Sequence, residues 1–295
     1  MRKTETPRED VYTRVTAKIV ADLEKGVRTW LKPWSVSHSA GRITRPLRAN
    51  GKPYNGINVI TLWADSVAKE FSSPVWMTFK QALELGACVK KGEKGSPVVY
   101  ADKMKRSEQN AAGEETERDI PFLKAYTVFN SEQIEGLPAH FYAAAPPNAA
   151  KIERIEHAEE FVRATNANIV HGGSRACYVV STDNIHMPCI DFFRDSESYY
   201  ATLLHELTHW TRHETRLNRE FGRKRWGDEG YAAEELVAEL GSAFLCADLG
   251  ITPEPREDHA AYIASWLEVL KNDKRAIFTA AAYAQRAAEF LFSRR

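Results

Sequence analysis

The chain has 295 residues, 43% of them hydrophobic, and 40 Lys/Arg against 40 Asp/Glu. That suits two ordinary globular domains, each able to bury a core. No apolar run approaches the roughly 18 residues of a membrane span, and the charged start Met1-Arg2-Lys3-Thr4-Glu5 lacks the apolar core of a signal peptide. The expectation is a cytoplasmic protein with no membrane partner. Cys88, Cys177, Cys189 and Cys246 are scattered without a C-x-x-C pair, which argues against a disulfide frame or a zinc knuckle. The charge balance hides an asymmetry: residues 1–100 carry 17 Lys/Arg against 9 Asp/Glu, and residues 143–295 carry 18 against 23. A basic half and an acidic half imply different partners, with the basic half as the candidate polyanion binder.

Taken in chain order, Val11, Val15, Ile19 and Leu23 predict an amphipathic helix over 8–25, stopped at Gly26. A segment rich in Trp, Arg and Pro follows, then a helix from Ile57 to Lys69. Thr78-Phe79-Lys80-Gln81 is a capping box opening a short helix that Gly86 closes. Residues 88–100 predict strand, glycine turn, strand. Residues 102–119 are polar and aperiodic and predict a long mobile hairpin loop. Phe122–Phe129 predicts a strand, and the Ala/Pro-rich stretch 143–150 a linker between domains 1–142 and 151–295. The second half predicts a helix over 152–165, strands near 168–170 and 176–181 joined by a glycine turn, and a connection at 183–188. Four helices follow: one around 200–210 capped by Asp195 or Ser196, one over 231–249 ending at Gly250, and two near 257–270 and 276–290. The fold class is α+β.

His205-Glu206-Leu207-Thr208-His209 is an H-E-x-x-H sequence. On a helix it sets two imidazoles one turn apart on one face, where both reach a single metal ion, and Glu206 stands beside the open coordination position as a general base for water. Glu235 and Glu239, 26 and 30 residues past His209, share one side of the next helix. A third ligand there, with a carboxylate one turn on to hold a ligand histidine, is what a catalytic zinc requires. The pattern Glu235-Leu236-Val237-Ala238-Glu239 resembles the second helix of the gluzincin metallopeptidases. The expected set is His205, His209 and Glu235 around Zn2+, with Mn2+ as an alternative ion, and Glu239 orienting a ligand histidine. Glu234 is the rival third ligand, about 100° away around the helix. His213 continues the face beyond His209 as a surface or cleft residue. His259 and Tyr262, one turn apart, are the leading oxyanion donors, ahead of Tyr283.

In the basic half, Trp30, Trp34, Tyr54 and Trp76 interleave with Arg42, Arg45, Arg48, Lys52, Lys80, Lys90, Lys91 and Lys94. Rings stack bases while cations follow phosphates, the requirement of single-stranded DNA binding. Buried tryptophans and a solvated hairpin tip are the competing reading. Five ordered blocks are involved: Trp30–Trp34, Tyr54–Asn58, Pro74–Ala82, Gly86–Glu93 and Thr127–Asn130. They resemble the N-terminal domain of the plasmid antirestriction ArdC family, shared with TraC-type conjugative primases. The second half is similar to that family's metallopeptidase domain. The resemblance implies single-stranded DNA binding, protection of incoming plasmid DNA, and a host restriction enzyme or other DNA-bound protein as partner. The contrasting expectation is a non-enzymatic protector that coats single strands and keeps a structural metal.

Overall fold

The computed structural model describes residues 10–25, 27, 44–109, 115–142, 151–221, 229–251 and 259–294, with backbone alone at 101–109, 115–122, 151–155, 229 and 259–261. In order, the elements are α1 (Val11–Glu24), β1 (Leu47–Arg48), α2 (Ile57–Lys69), β2 (Val75–Thr78), α3 (Phe79–Glu84), β3 (Cys88–Val89), β4 (Ser96–Gln109), β5 (Glu115–Asn130) and β6 (Ile134–Glu135). They continue with α4 (Lys151–Thr165), β7 (Asn168–His171), β8 (Cys177–Val179), β9 (Asn184–Met187), α5 (Ser196–Trp210), α6 (Glu229–Leu249), α7 (His259–Asn272) and α8 (Ala276–Phe292). The fold is mixed helix and sheet. The expected linker at 143–150 lies outside the described residues.

The first half is built on a sheet of order β1-β2-β5-β4. The Thr78 hydroxyl accepts from the Gln81 N–H and the Gln81 side chain accepts from the Thr78 N–H, closing the capping box of α3. The strands expected on either side of Gly92 are present as β3 and β4; β3 pairs with β6 in a separate two-stranded sheet, and β4 pairs with β5. One expectation is corrected here. Within the segment expected as a loop at 102–119, residues 102–109 and 115–119 form a continuous antiparallel ladder running out to Gln109 opposite Glu115, and residues 110–114 lie outside the described residues. A charged sequence hides such a ladder because its hydrogen bonds are backbone to backbone and need no apolar periodicity. The Asn58 side chain fixes the hairpin to α2, donating to the Val99 carbonyl (2.8 Å) and accepting from the Val99 N–H (2.7 Å).

In the second half β9 lies between β7 and β8, parallel to the first and antiparallel to the second. Residues 183–188, expected as a connection, therefore hold the central strand, and β7 and β8 are not neighbours. β8 is left as an edge strand beside α5. The Asp195 side chain caps α5 by accepting from the Ser198 N–H at 2.8 Å. α5 is enclosed on all sides from Tyr199 to Trp210. Its closest neighbour is α6, where a Cβ on Gly241 would lie 2.5 Å from the Thr208 methyl. Only glycine permits the two helices to approach this closely.

The halves share one hydrophobic core, running from Val15, Ile19 and Trp63 to Phe244, Trp266 and Ala284. α1 packs on the C-terminal helices, with the Tyr12 and Phe278 rings 4.6 Å apart and the Thr16 hydroxyl donating to the Lys274 carbonyl at 2.7 Å. Arg45, expected to face DNA, is instead buried against α6. It donates through Nε and Nη2 to both Asp248 oxygens at 2.7 Å and through Nη1 to Gln285, with its guanidinium over the Phe244 ring. Removing one partner of a buried pair strands the other. Arg45→Ala should therefore cost about 3 kcal/mol of stability, seen as a lower urea midpoint in a single cooperative transition. A midpoint unchanged from the parent would refute this role.

Candidate active site

α5 and α6 lie side by side, and three potential ligands converge where they cross. His205 Nε2 is 3.5 Å from Glu235 Oε2, and His209 Nε2 is 3.5 Å from Glu235 Oε1. One donor atom from each of His205, His209 and Glu235 falls within 4.8 Å of the others, the one such cluster among the described residues. Two imidazole nitrogens and a carboxylate oxygen suit a divalent transition metal and leave a further coordination position free.

The far side of each imidazole faces a second carboxylate. Glu239 Oε2 lies 3.6 Å from His205 Nδ1, and His209 Nδ1–H donates to Glu234 Oε1 at 3.1 Å. Glu234 is thus turned away from the ligand cluster, and its position off the Glu235 face directs it to the back of His209. Arg219 holds it from behind through Nε (2.8 Å) and Nη2 (2.7 Å), and anchors itself on the Thr208 carbonyl and Thr211 hydroxyl. Arg219 has no signal in the sequence, being one of several arginines in an irregular segment. The Glu234 role is legible only once α5 and α6 are known to be adjacent.

These groups reset one another's proton affinity. Burial alone would lower His209, but Glu235 and Glu234 outweigh it and lift the imidazole to about 10. Burial would raise Glu234, yet hydrogen bonds from Arg219 and His209 bring it down to about 2. Glu235 is likewise held well below the usual carboxylate range against its burial, by His209 and His205.

In front of the cluster is a cleft of about 130 Å³ lined by His205, Glu206, His209, Tyr231, Glu235 and Tyr262 on the helix side and by residues 175–178 and Val180 on the strand side. Glu206 Oε2 accepts from the Tyr178 N–H of β8 at 2.9 Å. β8 is locked in place by its own Tyr178, whose hydroxyl donates to Asp183 (2.8 Å), and by Arg216, which pairs with Asp183 and lies over the Trp210 ring at 3.8 Å. The Tyr231 and Tyr262 hydroxyls are 3.2 Å apart in the same cleft. Tyr231 sits one turn before Glu235 on its face of α6, a spacing that could have revealed it. The Tyr231 phenol is raised, by burial first and then by its hydrogen bond with Tyr262. His259 begins α7, and its side chain lies outside the described residues. Tyr283 packs edge-on against Phe221, 5.3 Å away, and does not line the cleft. His213 is bonded to Thr215 in the turn after α5.

On the basic half, two expected stacking platforms are corrected. Trp76 is 0% exposed, edge-on to Phe71 in the core, and Tyr54 is buried under the Arg48 guanidinium. Neither ring can offer a face to a base, because each is part of the hydrophobic core that the two halves share. Trp30, Trp34 and Arg42 lie outside the described residues. Arg48, Lys52, Lys80, Lys90, Lys91 and Lys94 are exposed. Of these, Lys80 pairs with Glu84 at 3.6 Å and Lys90 donates to the Glu132 carbonyl at 2.7 Å. The exposed aromatic rings of this half, among the described residues, include Phe79, Tyr100 and Tyr126.

Two family profiles match the chain. One, the zincin-like metallopeptidase, spans residues 156–283, and the other, the N-terminal domain of anti-restriction factor ArdC, spans residues 9–129. Fold and site together thus define a two-domain protein with a zincin-like metallopeptidase domain. Crystal structures of the antirestriction ArdC protein from plasmid R388 superpose on the chain over 97% of its length and 98% of theirs. The metal-free form has 45% identity and a TM-score of 0.81, and the Mn(II)-bound form 44% and 0.80. The uncharacterized protein y4eC of Sinorhizobium fredii is 42% identical over 98% of this chain and 94% of its own. The DNA primase TraC of Escherichia coli is 39% identical over 96% of this chain, which spans only 27% of that primase. The chain belongs to the ArdC antirestriction family.

Two outcomes test the metal centre. Glu235→Ala should abolish tight binding of a divalent ion, whereas Glu234→Gln, which leaves the three ligands in place but weakens the hold on His209 and the pairing with Arg219, should weaken it about 10- to 100-fold; equal losses in the two would reverse the assignment. A ligating imidazole must be neutral, and without metal His209 holds its proton up to about 10. Binding near neutrality must therefore expel that proton, and affinity should rise about tenfold per pH unit between pH 6 and 8. Competition with a chelator at several pH values measures this slope, and a flat profile would contradict it.

Proposed function

We propose that this chain is a metal-dependent peptidase carried on a single-stranded-DNA-binding domain, and that it protects incoming plasmid DNA from host restriction. The observation that carries the peptidase reading is the position of Glu206. Its carboxylate stands between the ligand cluster and the outward N–H of edge strand β8, where an extended peptide would add as a further strand. A purely structural site has no use for a carboxylate in that place.

A bound divalent ion would polarise the scissile carbonyl and acidify a water. The chain supplies the rest. Glu206 accepts the proton of the attacking water and returns it to the leaving amine, with the Tyr178 N–H holding its carboxylate toward the strand edge. Tyr231 and Tyr262, whose phenols face the cleft, serve as hydrogen-bond donors to the carbonyl oxygen as it gains charge. The raised Tyr231 phenol stays protonated throughout the neutral range. His205 and His209 are kept in one orientation by Glu239 and Glu234. Zn2+ is the ion this donor set favours, and the Mn(II)-bound R388 relative supports testing Mn2+ beside it.

Single-stranded DNA is the partner proposed for the basic half. The exposed Lys80, Lys90, Lys91 and Lys94 support phosphate contact, together with Arg48, Lys52 and the exposed rings near them. A restriction enzyme bound to the same DNA is the substrate this arrangement favours, since shared DNA could raise its local concentration to roughly millimolar. No helix among the described residues is long and apolar enough to cross a membrane.

Glu206→Gln should keep its metal and its affinity for single strands but lose peptide cleavage by about 10²- to 10⁴-fold. Conjugative transfer into a restricting host then separates the readings. If the variant protects as well as the parent, coating of single strands accounts for antirestriction without proteolysis. DNA binding itself should weaken steeply with salt; reversing Lys90, Lys91 and Lys94 to Glu should weaken it further at low salt and make the salt dependence shallower.

A further inference from the structure

Two arginines on the wall of the cleft are used by neither the fold nor the ligand cluster. Arg175 lies two residues ahead of β8, and Arg212 lies three residues beyond His209, just past the end of α5; both line the cleft with Glu206 and Tyr262. The neighbouring arginines are committed: Arg216 to Asp183 and the Trp210 ring, Arg219 to Glu234 and Thr208. Arg175 and Arg212 hold no side-chain hydrogen bond or ion pair among the described residues. A guanidinium stays charged at any working pH and matches a carboxylate with a planar fork of donors. Of the carboxylates in the cleft, Glu235 faces both imidazoles and Glu206 accepts from the Tyr178 N–H. With a divalent ion in place, the unmatched charge of the cleft is that of the two arginines, and it is positive.

On the peptidase reading above, we propose that Arg175 and Arg212 are specificity residues that select peptides with an acidic side chain beside the scissile bond. A peptide added to β8 directs successive side chains to opposite faces. The selection therefore falls on alternate positions and not on a run of acids. A free C-terminal carboxylate presents the same chemistry, so the probes must separate the two sources.

The test uses the full chain with Glu206→Gln, loaded with Zn2+ or Mn2+ so that peptides bind without turnover. Isothermal titration compares decapeptides blocked at both ends that carry Glu, Gln or Lys at each central position in turn. A second set has free carboxyl termini. Glu is expected to bind about tenfold more tightly than Lys at one or two alternate positions, the scale of one partly desolvated charged hydrogen bond. Arg212→Glu should reverse that order and Arg175→Ala should flatten it, both at the parent's metal content. The proposal is overturned if Glu and Lys peptides bind equally, if the charge reversal leaves the order unchanged, or if discrimination appears only with a free terminus. Cleavage of the same blocked peptides by the parent distinguishes the two readings. Cleavage without charge preference leaves the peptidase intact and removes this specificity. No cleavage of any peptide by metal-loaded parent removes the peptidase reading and the specificity with it.

Discussion

Everything at the centre of this molecule depends on charges that have been taken out of water together. His205, Glu206, His209, Glu234, Glu235, Glu239 and Arg219 are all buried, and an isolated ion in such a place would cost several kcal/mol. Each is tolerated because it faces a partner: Arg219 on Glu234, Glu234 on His209, Glu239 on His205, both imidazoles on Glu235, and Glu206 on the Tyr178 N–H. Four carboxylates nonetheless outnumber one guanidinium and two imidazoles that carry charge only when protonated. A divalent ion at the point where His205, His209 and Glu235 converge would supply positive charge that the cluster lacks. It would also take the place of the proton that His209 holds in its absence, so electrostatic balance and metal chemistry point to one position.

That cluster exists only because two helices touch closely. Gly241 against Thr208 removes the side chain that would hold α6 away from α5. Without that contact Glu235 would not reach both imidazoles, and Glu239 would not reach the back of His205. The edge strand is set by an independent device, the Tyr178–Asp183–Arg216 group, which fixes the cleft's opposite wall. The two walls meet at Glu206.

The site was more legible in the sequence than its surroundings, for physical reasons. H-E-x-x-H and the Glu235/Glu239 pair are local: helical periodicity alone places each pair on one face. α2 and the capping box of α3 were legible on the same grounds. What could not be read were choices made by distant partners. Glu234 looked like a rival ligand until Arg219, 15 residues earlier, drew it to the outer face of His209. Arg45, Trp76 and Tyr54 had the composition of a nucleic-acid surface and became core, because composition does not report which rings a neighbouring helix covers. β9, only four residues long, carried too little alternation to distinguish it from a connection.

The buried pairing of Arg45 with Asp248 joins the first half of the chain to the very helix that supplies Glu235 and Glu239. A gene that kept only one half would inherit an open hydrophobic face and a stranded ion. Recombination should therefore move this sequence whole, as a single heritable cassette, and not as two interchangeable modules. The much longer TraC primase carries a counterpart aligned across 96% of this chain, both halves together. In this fold the seam between a basic surface and a metal centre is a constraint on how genes can be cut and rejoined.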